Sequence, residues 1–249
     1  MKNKISTLSK IIIALDVENK QEALSLISQL KEAETFKIGL KLFIAEGPSL
    51  VQTVRRLGKN VFLDLKLHDI PNTVAEAVRM AAKCEVSLLT LHASGGLEMM
   101  RWAVKAAKEE SLKGQRPKLL AVTVLTSLSD EDLKKIGMET STQSQVLRLA
   151  HLAKEAGLDG VVCSPQEIGL IRQEIGSNFL IVTPGIRPSW AASHDQKRIM
   201  TPSLALKEGA DYLVIGRPII KASLPRQAFL KICQELNSPV NSTYGKNST

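Results

Sequence analysis

The sequence predicts an α/β fold: eight parallel strands, each followed by a helix, closed into a single-domain (β/α)8 TIM barrel. Three observations lead there. Short β-rich runs alternate with amphipathic helical runs eight times over 249 residues, a length that α/β barrels reach as one unit. Polar and turn residues collect just after the strand in each unit, where barrel loops form a common mouth. No Gly-x-Gly-x-x-Gly follows the first strand, where an open dinucleotide-binding sheet would place it.

The units follow in order. The apolar run 11–17 precedes a helical pattern at 21–30, and the run 36–40 precedes one at 48–57. The third strand, 61–67, leads into a helix entered through Pro71-Asn72-Thr73, because proline suits a first helical turn. Strands at 87–92, 118–125 and 160–163 are paired with helices at 97–108, 144–156 and 166–175. The seventh strand, 179–183, is followed by a long loop and a helix opening at Thr201-Pro202; the eighth, 212–215, by a helix at 225–236. We therefore expect an N-terminal extension at 1–10, the barrel at 11–236 and a frayed Asn/Ser/Thr-rich tail at 237–249.

Composition narrows the function classes. An apolar fraction of 44% is enough for a full core, and the run 11–15 is too short for a signal-peptide core or a membrane span. Cys84, Cys163 and Cys233 lack any C-x-x-C or Cys/His ligand spacing, so neither a disulfide framework nor a zinc site is expected, and a reducing cytoplasm fits. The net charge of +8 and pI of about 9.4 admit a nucleic-acid partner. Lys and Arg are scattered, however, and aromatics are only 4%, so an anionic small substrate explains the charge equally well.

The chemistry concentrates in Asp64-Leu65-Lys66-Leu67-His68-Asp69. Period-two alternation puts Phe62, Asp64, Lys66 and His68 on one side of the third strand and Val61, Leu63, Leu65 and Leu67 on the other. Taken alone, the motif reads about equally well as a structural salt bridge. Its company shifts the balance: Asp16 ends the first strand, Lys37 lies in the second, His92 ends the fourth, Thr126 follows the fifth and Ser164 the sixth. Pro184-Gly185-Ile186-Arg187 and Gly216-Arg217 follow the seventh and eighth, where barrels bind phosphate and where an Arg offers a bidentate fork. Residues 188–200 form a candidate lid. His92, among small residues, reads as a packed, hydrogen-bonded structural imidazole, while His68, His151 and His194 have no triad-like partners.

These stretches, Asp64 to Thr73 with Leu15-Asp16, Phe36-Lys37-Ile38-Gly39, His92-Ala93, Leu125-Thr126-Ser127, Thr183 to Arg187, Asp195-Gln196-Lys197-Arg198 and Ile215 to Pro218, closely resemble the bacterial type of the orotidine 5′-phosphate decarboxylase family. The match spans about residues 11 to 235 in the family's order. Trp190 and the Ala191-Ala192-Ser193 run depart from the Gly-rich lid of that family.

The resemblance implies decarboxylation of orotidine 5′-monophosphate to uridine 5′-monophosphate, without metal or organic cofactor. It implies that Lys66 is the proton donor, flanked by Asp64 and Asp69, with Lys37 completing an alternating charge network. Asp69 would be contributed across a homodimer interface. Asp16 and Lys37 match ribose contacts, Thr126 a pyrimidine contact, Arg187, Gln196, Gly216 and Arg217 a phosphate grip, and Ile70, Pro71, Asn72 and Thr73 the substrate-binding continuation of the motif. The rival readings are a Schiff-base aldolase, a metal-dependent sugar-phosphate barrel enzyme and a basic nucleic-acid-binding module.

Overall fold

The computed structural model describes residues 7–111, 116–191 and 200–237. Eight strands, β1 (Ile11–Ala14), β2 (Thr35–Gly39), β3 (Asn60–Leu67), β4 (Leu88–His92), β5 (Lys118–Val122), β6 (Gly160–Val162), β7 (Leu180–Thr183) and β8 (Tyr212–Ile215), pair in chain order. The register of Ile11 to Ile13 on Leu213 to Ile215 joins β8 back to β1 in parallel and closes the barrel.

Between them run α1 (Lys20–Gln29), α2 (Leu40–Arg56), α3 (Pro71–Lys83), α4 (Gly96–Glu109), α5 (Asp130–Lys135), α6 (Thr142–Ala156), α7 (Ile168–Ile175), α8 (Pro202–Glu208), α9 (Arg217–Ile220) and α10 (Pro225–Asn237).

The core has two layers because each strand is buried on both faces. Ile12, Ala14, Phe62, Leu88, Leu120, Val182 and Val214 fill the barrel interior. Their neighbours Ile11, Ile13, Val61, Leu63, Leu89 and Leu119 turn outward and pack with helical residues such as Val78, Met100, Val104 and Ile171. This explains why the strands read as unbroken apolar runs. It also explains why the first and fifth strands, expected to reach 17 and 125, end at Ala14 and Val122: Leu15, Val17 and Val124 stay buried past the end of the ladder, and apolarity reports burial, not pairing.

Two helices were not foreseen. α5 opens with a reciprocal cap in which the Ser129 hydroxyl accepts from the Asp132 N–H and the Asp132 carboxylate accepts from the Ser129 N–H. α9 is a single short turn after Gly216. α2 begins at Leu40 instead of residue 48, and is broken at Gly47 (φ 64°, ψ −165°) just ahead of Pro48. Only the part after Pro48 carries the buried stripe Leu50, Val51 and Val54 that a periodicity search detects.

The amino-terminal face is tied by repeated carboxylates. Asp159 takes two Arg116 nitrogens at 2.7 Å each and the Leu119 N–H. Asp211 takes Arg172 and the Ile181 N–H, each at 2.8 Å. Residues Thr7–Lys10, within the expected extension, form a 3-10 turn, and the Thr7 hydroxyl donates to Asn237 Oδ1 at 2.6 Å. Asn237, the first residue of the expected tail, is the last of α10, and the remainder of that tail lies outside the described residues.

Candidate active site

The third strand does not run regularly to its end. Against β4, Phe62 pairs with Leu88 and Leu63 with Leu89, but the next pair is Leu67 with Leu91. Four steps on β3 therefore face two on β4, a bulge that re-aims side chains at a strand end. Lys66 sits inside it with φ of 52°, a left-handed conformation costly for a residue with a Cβ. The uniform alternation expected for this strand is corrected at that residue. Asp64 and Lys66 nevertheless meet, because the Lys66 ammonium lies 2.9 Å from each Asp64 carboxylate oxygen.

A row of alternating charges extends from this pair. Lys37 Nζ on β2 stands 3.6 Å from Asp64 Oδ2 and 3.4 Å from Asp16 Oδ1. The order is thus Asp16, Lys37, Asp64, Lys66, two negative and two positive groups. The side chains of Lys37 and Asp64 are 13% and 12% exposed, those of Lys66 and Asp16 31% and 58%. The centre of the row is shielded, where Coulomb attraction is least screened, and both ends open to the mouth. Asp16 lies two residues past the end of β1 rather than within it. Among the described residues no group of three or more His, Cys, Asp or Glu side chains is arranged to hold a metal ion.

Asp69 does not join the row. Its carboxylate accepts the Ile70 N–H at 2.7 Å, and no ion pair links it to Lys66 within the chain. Ile70 is 67% exposed. Pro71 opens α3 as expected, with Asn72 and Thr73 exposed in its first turn. Thr126 is exposed on the loop after β5. The His92 ring lies 5.3 Å from that of His68, tilted by 32°. Neither ring makes a hydrogen bond among the described residues, so the hydrogen-bonded imidazole expected at His92 is corrected to one held by packing. Burial lowers its pKa first, followed by the nearby His68 and Lys66, with Asp64 acting in the opposite sense.

On the far side, the loop after β7 is pinned at its base. The Arg187 N–H donates to the Met200 carbonyl at 2.9 Å and the Met200 N–H to that of Gly185 at 3.4 Å, and Arg187 is buried. A Cβ on Gly216 would stand 3.3 Å from Asp16 Oδ2 and 3.4 Å from Ala14 Cβ. The missing side chain lets the start of the Arg217 turn approach the Asp16 end of the charge row. Gln196 lies outside the described residues, as does most of the candidate lid. At its near end the Lys231 ammonium sits 4.7 Å from the centroid of a Trp190 ring, which ties that residue to α10.

Sequence reasoning missed Thr90. It is fully buried, its hydroxyl donates to Asp64 Oδ1 at 2.9 Å, and its Oγ1 accepts the Lys66 N–H at 2.9 Å. The available signal was a polar residue in Leu88-Leu89-Thr90-Leu91, on the interior-facing parity shared with Leu88 and His92.

Fold and site together define a single-domain (β/α)8 barrel of the enzyme type, with its charged groups gathered at the carboxyl ends of the strands. Residues 9–232 match the sequence model of the orotidine 5′-phosphate decarboxylase / HUMPS family, and the chain belongs to that family. It is 55% identical to the orotidine 5′-phosphate decarboxylase of Pelobacter propionicus over 94% of this chain and 98% of the relative. For that of Trichlorobacter lovleyi the identity is 53%, over 92% and 95%. The crystal structure of orotidine 5′-phosphate decarboxylase from Lactobacillus acidophilus superimposes with a TM-score of 0.83 at 38% identity, covering 92% of this chain and all of that one.

Proposed function

We propose that this protein decarboxylates orotidine 5′-monophosphate to uridine 5′-monophosphate and CO2 in pyrimidine nucleotide synthesis, with Lys66 as the proton donor. The observation that carries this reading is the Lys66 ammonium, held 2.9 Å from both oxygens of Asp64 at one open end of the charge row. Breaking the bond from C6 to the carboxylate carbon releases CO2 and leaves an electron pair on a vinylic carbon that has no neighbouring sink. A fixed cation at that carbon stabilises the developing charge. The same ammonium then gives its proton to C6, forming the C–H bond of the product, and the resulting amine takes a proton from solvent. The chemistry asks for no electron sink beyond that cation, so we assign the reaction no metal and no organic cofactor.

The other residues take roles by position. Asp16 and Lys37, at the far end of the row, bind ribose hydroxyls, and Thr126 the pyrimidine edge. Arg187, Gln196, Gly216 and Arg217 grip the phosphate, whose binding energy drives closure over a group that does not react. Asp69 acts in the site of a second copy of the chain. Its carboxylate accepts the Ile70 N–H and forms no ion pair among the described residues, and the adjacent Ile70 is an exposed large apolar side chain. The three free thiols, Cys84, Cys163 and Cys233, accord with a reducing cytoplasm.

The test is the ultraviolet absorbance of orotidine 5′-monophosphate incubated with purified, chelator-treated protein, together with CO2 release and chromatography of the nucleotide product. Loss of absorbance with equimolar CO2 and uridine 5′-monophosphate is expected. An unchanged spectrum would overturn the assignment.

A further inference from the structure

The bulge in β3 leaves Lys66 without a register partner on β4, since the ladder skips from Leu63 to Leu67. The Thr90 side chain fills that gap. Its hydroxyl oxygen accepts the Lys66 N–H at 2.9 Å, and the hydroxyl donates a hydrogen bond to Asp64 Oδ1 at 2.9 Å. One oxygen thus engages the backbone of the lysine and the side chain of the aspartate to which the lysine ammonium is bound. Thr90 is fully buried on β4 and branched at Cβ, which restricts its χ1 and fixes where that oxygen points. The left-handed φ of Lys66 persists only where its surroundings over-determine it, and this hydrogen bond is part of what does so.

We infer that Thr90 is a positioning residue for the reaction: through its hydroxyl it sets the Asp64 carboxylate and the Lys66 backbone together, so that the ammonium is aimed at the reacting carbon. It is fully buried, and its hydroxyl bonds to Asp64 and to the Lys66 backbone, so it acts on the chemical step and leaves ground-state binding alone. The inference rests on the decarboxylase reading above.

Thr90→Val keeps the shape and removes the hydroxyl, whereas Thr90→Ser keeps the hydroxyl and removes a methyl. Loss of one buried hydrogen-bonding partner predicts a fall in kcat of roughly 10- to 100-fold for Thr90→Val, with KM and uridine 5′-monophosphate affinity within about threefold of wild type. Thr90→Ser keeps kcat within about threefold. A merely structural role would spoil both variants alike or move KM with kcat. Unchanged kcat in Thr90→Val, or an equal loss in Thr90→Ser, overturns the inference. If circular dichroism finds Thr90→Val unfolded, Thr90→Ala replaces it beside Thr90→Ser under the same criteria. Wild type that leaves orotidine 5′-monophosphate untouched sinks the decarboxylase reading and this inference with it. Active wild type beside an unimpaired hydroxyl-free variant sinks this inference alone.

Discussion

Lys66 Nζ is equidistant, at 2.9 Å, from the two carboxylate oxygens of Asp64, although the strand that carries both is irregular between them. The ammonium therefore has one fixed direction of approach on its protein side and about a third of its side chain left open to the mouth. A group in that setting acts as an oriented charge toward whatever occupies the mouth.

Lys66→Ala is expected to lower kcat by at least ~10³-fold, since on the proposed mechanism it removes both electrostatic stabilisation and the proton donor. Uridine 5′-monophosphate binding, measured by calorimetry, should change little. Turnover near the wild-type rate would remove Lys66 from the role of proton donor.

Arg217→Ala is expected to weaken uridine 5′-monophosphate by roughly 10- to 100-fold, the contribution of charge-assisted hydrogen bonds to a dianion. Uridine cannot use those bonds, and its affinity should be nearly unchanged. Equal losses for nucleotide and nucleoside would place Arg217 away from the phosphate.

Asp69 is expected to complete the site of a partner copy. Inactive Lys66→Ala and inactive Asp69→Ala chains, mixed and allowed to exchange subunits, should then form heterodimers with one intact and one doubly damaged site. Random exchange restores roughly a quarter of all sites, because half of the dimers are mixed and each has two. If exchange is verified by native mass measurement and no activity returns, the shared site is refuted while the reaction stands.

His92 gives the fold a pH dependence of defined sign. Its pKa is lowered in the folded protein from an ordinary value of 6.5, so below that value the unfolded chain binds the proton more readily than the native one. His92 thus favours the native state fully above about 6.5, and this contribution is lost as pH falls from there through the lowered folded pKa. Denaturant midpoints measured from pH 7.5 down to about 4.5 should fall less steeply for His92→Gln than for wild type. Identical slopes would show that the imidazole titrates alike in both states.

Much of this molecule was legible in the chain. Eight apolar runs separated by amphipathic stretches determined the barrel, since a strand covered on both faces must be apolar throughout and its parallel neighbour must be reached through a helix. The same reading placed Asp16, Asp64 and Lys66 at strand ends, Lys37 within the second strand and Arg187 and Arg217 after the seventh and eighth, and the Asp64 to Thr73 motif pointed to the family to which the chain belongs. Tertiary structure alone decided how those groups meet. Thr90 reads as an ordinary strand residue until the bulge in β3, which no local pattern announces, brings its hydroxyl against Lys66 and Asp64. The Lys37 ammonium reaches Asp16 and Asp64 because β2 lies between β1 and β3 in a parallel register. The Gly216 turn comes close to Asp16 because closure makes the first and last strands neighbours, though some two hundred residues separate them. Side-chain type and spacing report which face a residue takes within its own element. Which atoms it touches depends on register, bulge and closure, and these are set by the packing of the whole barrel.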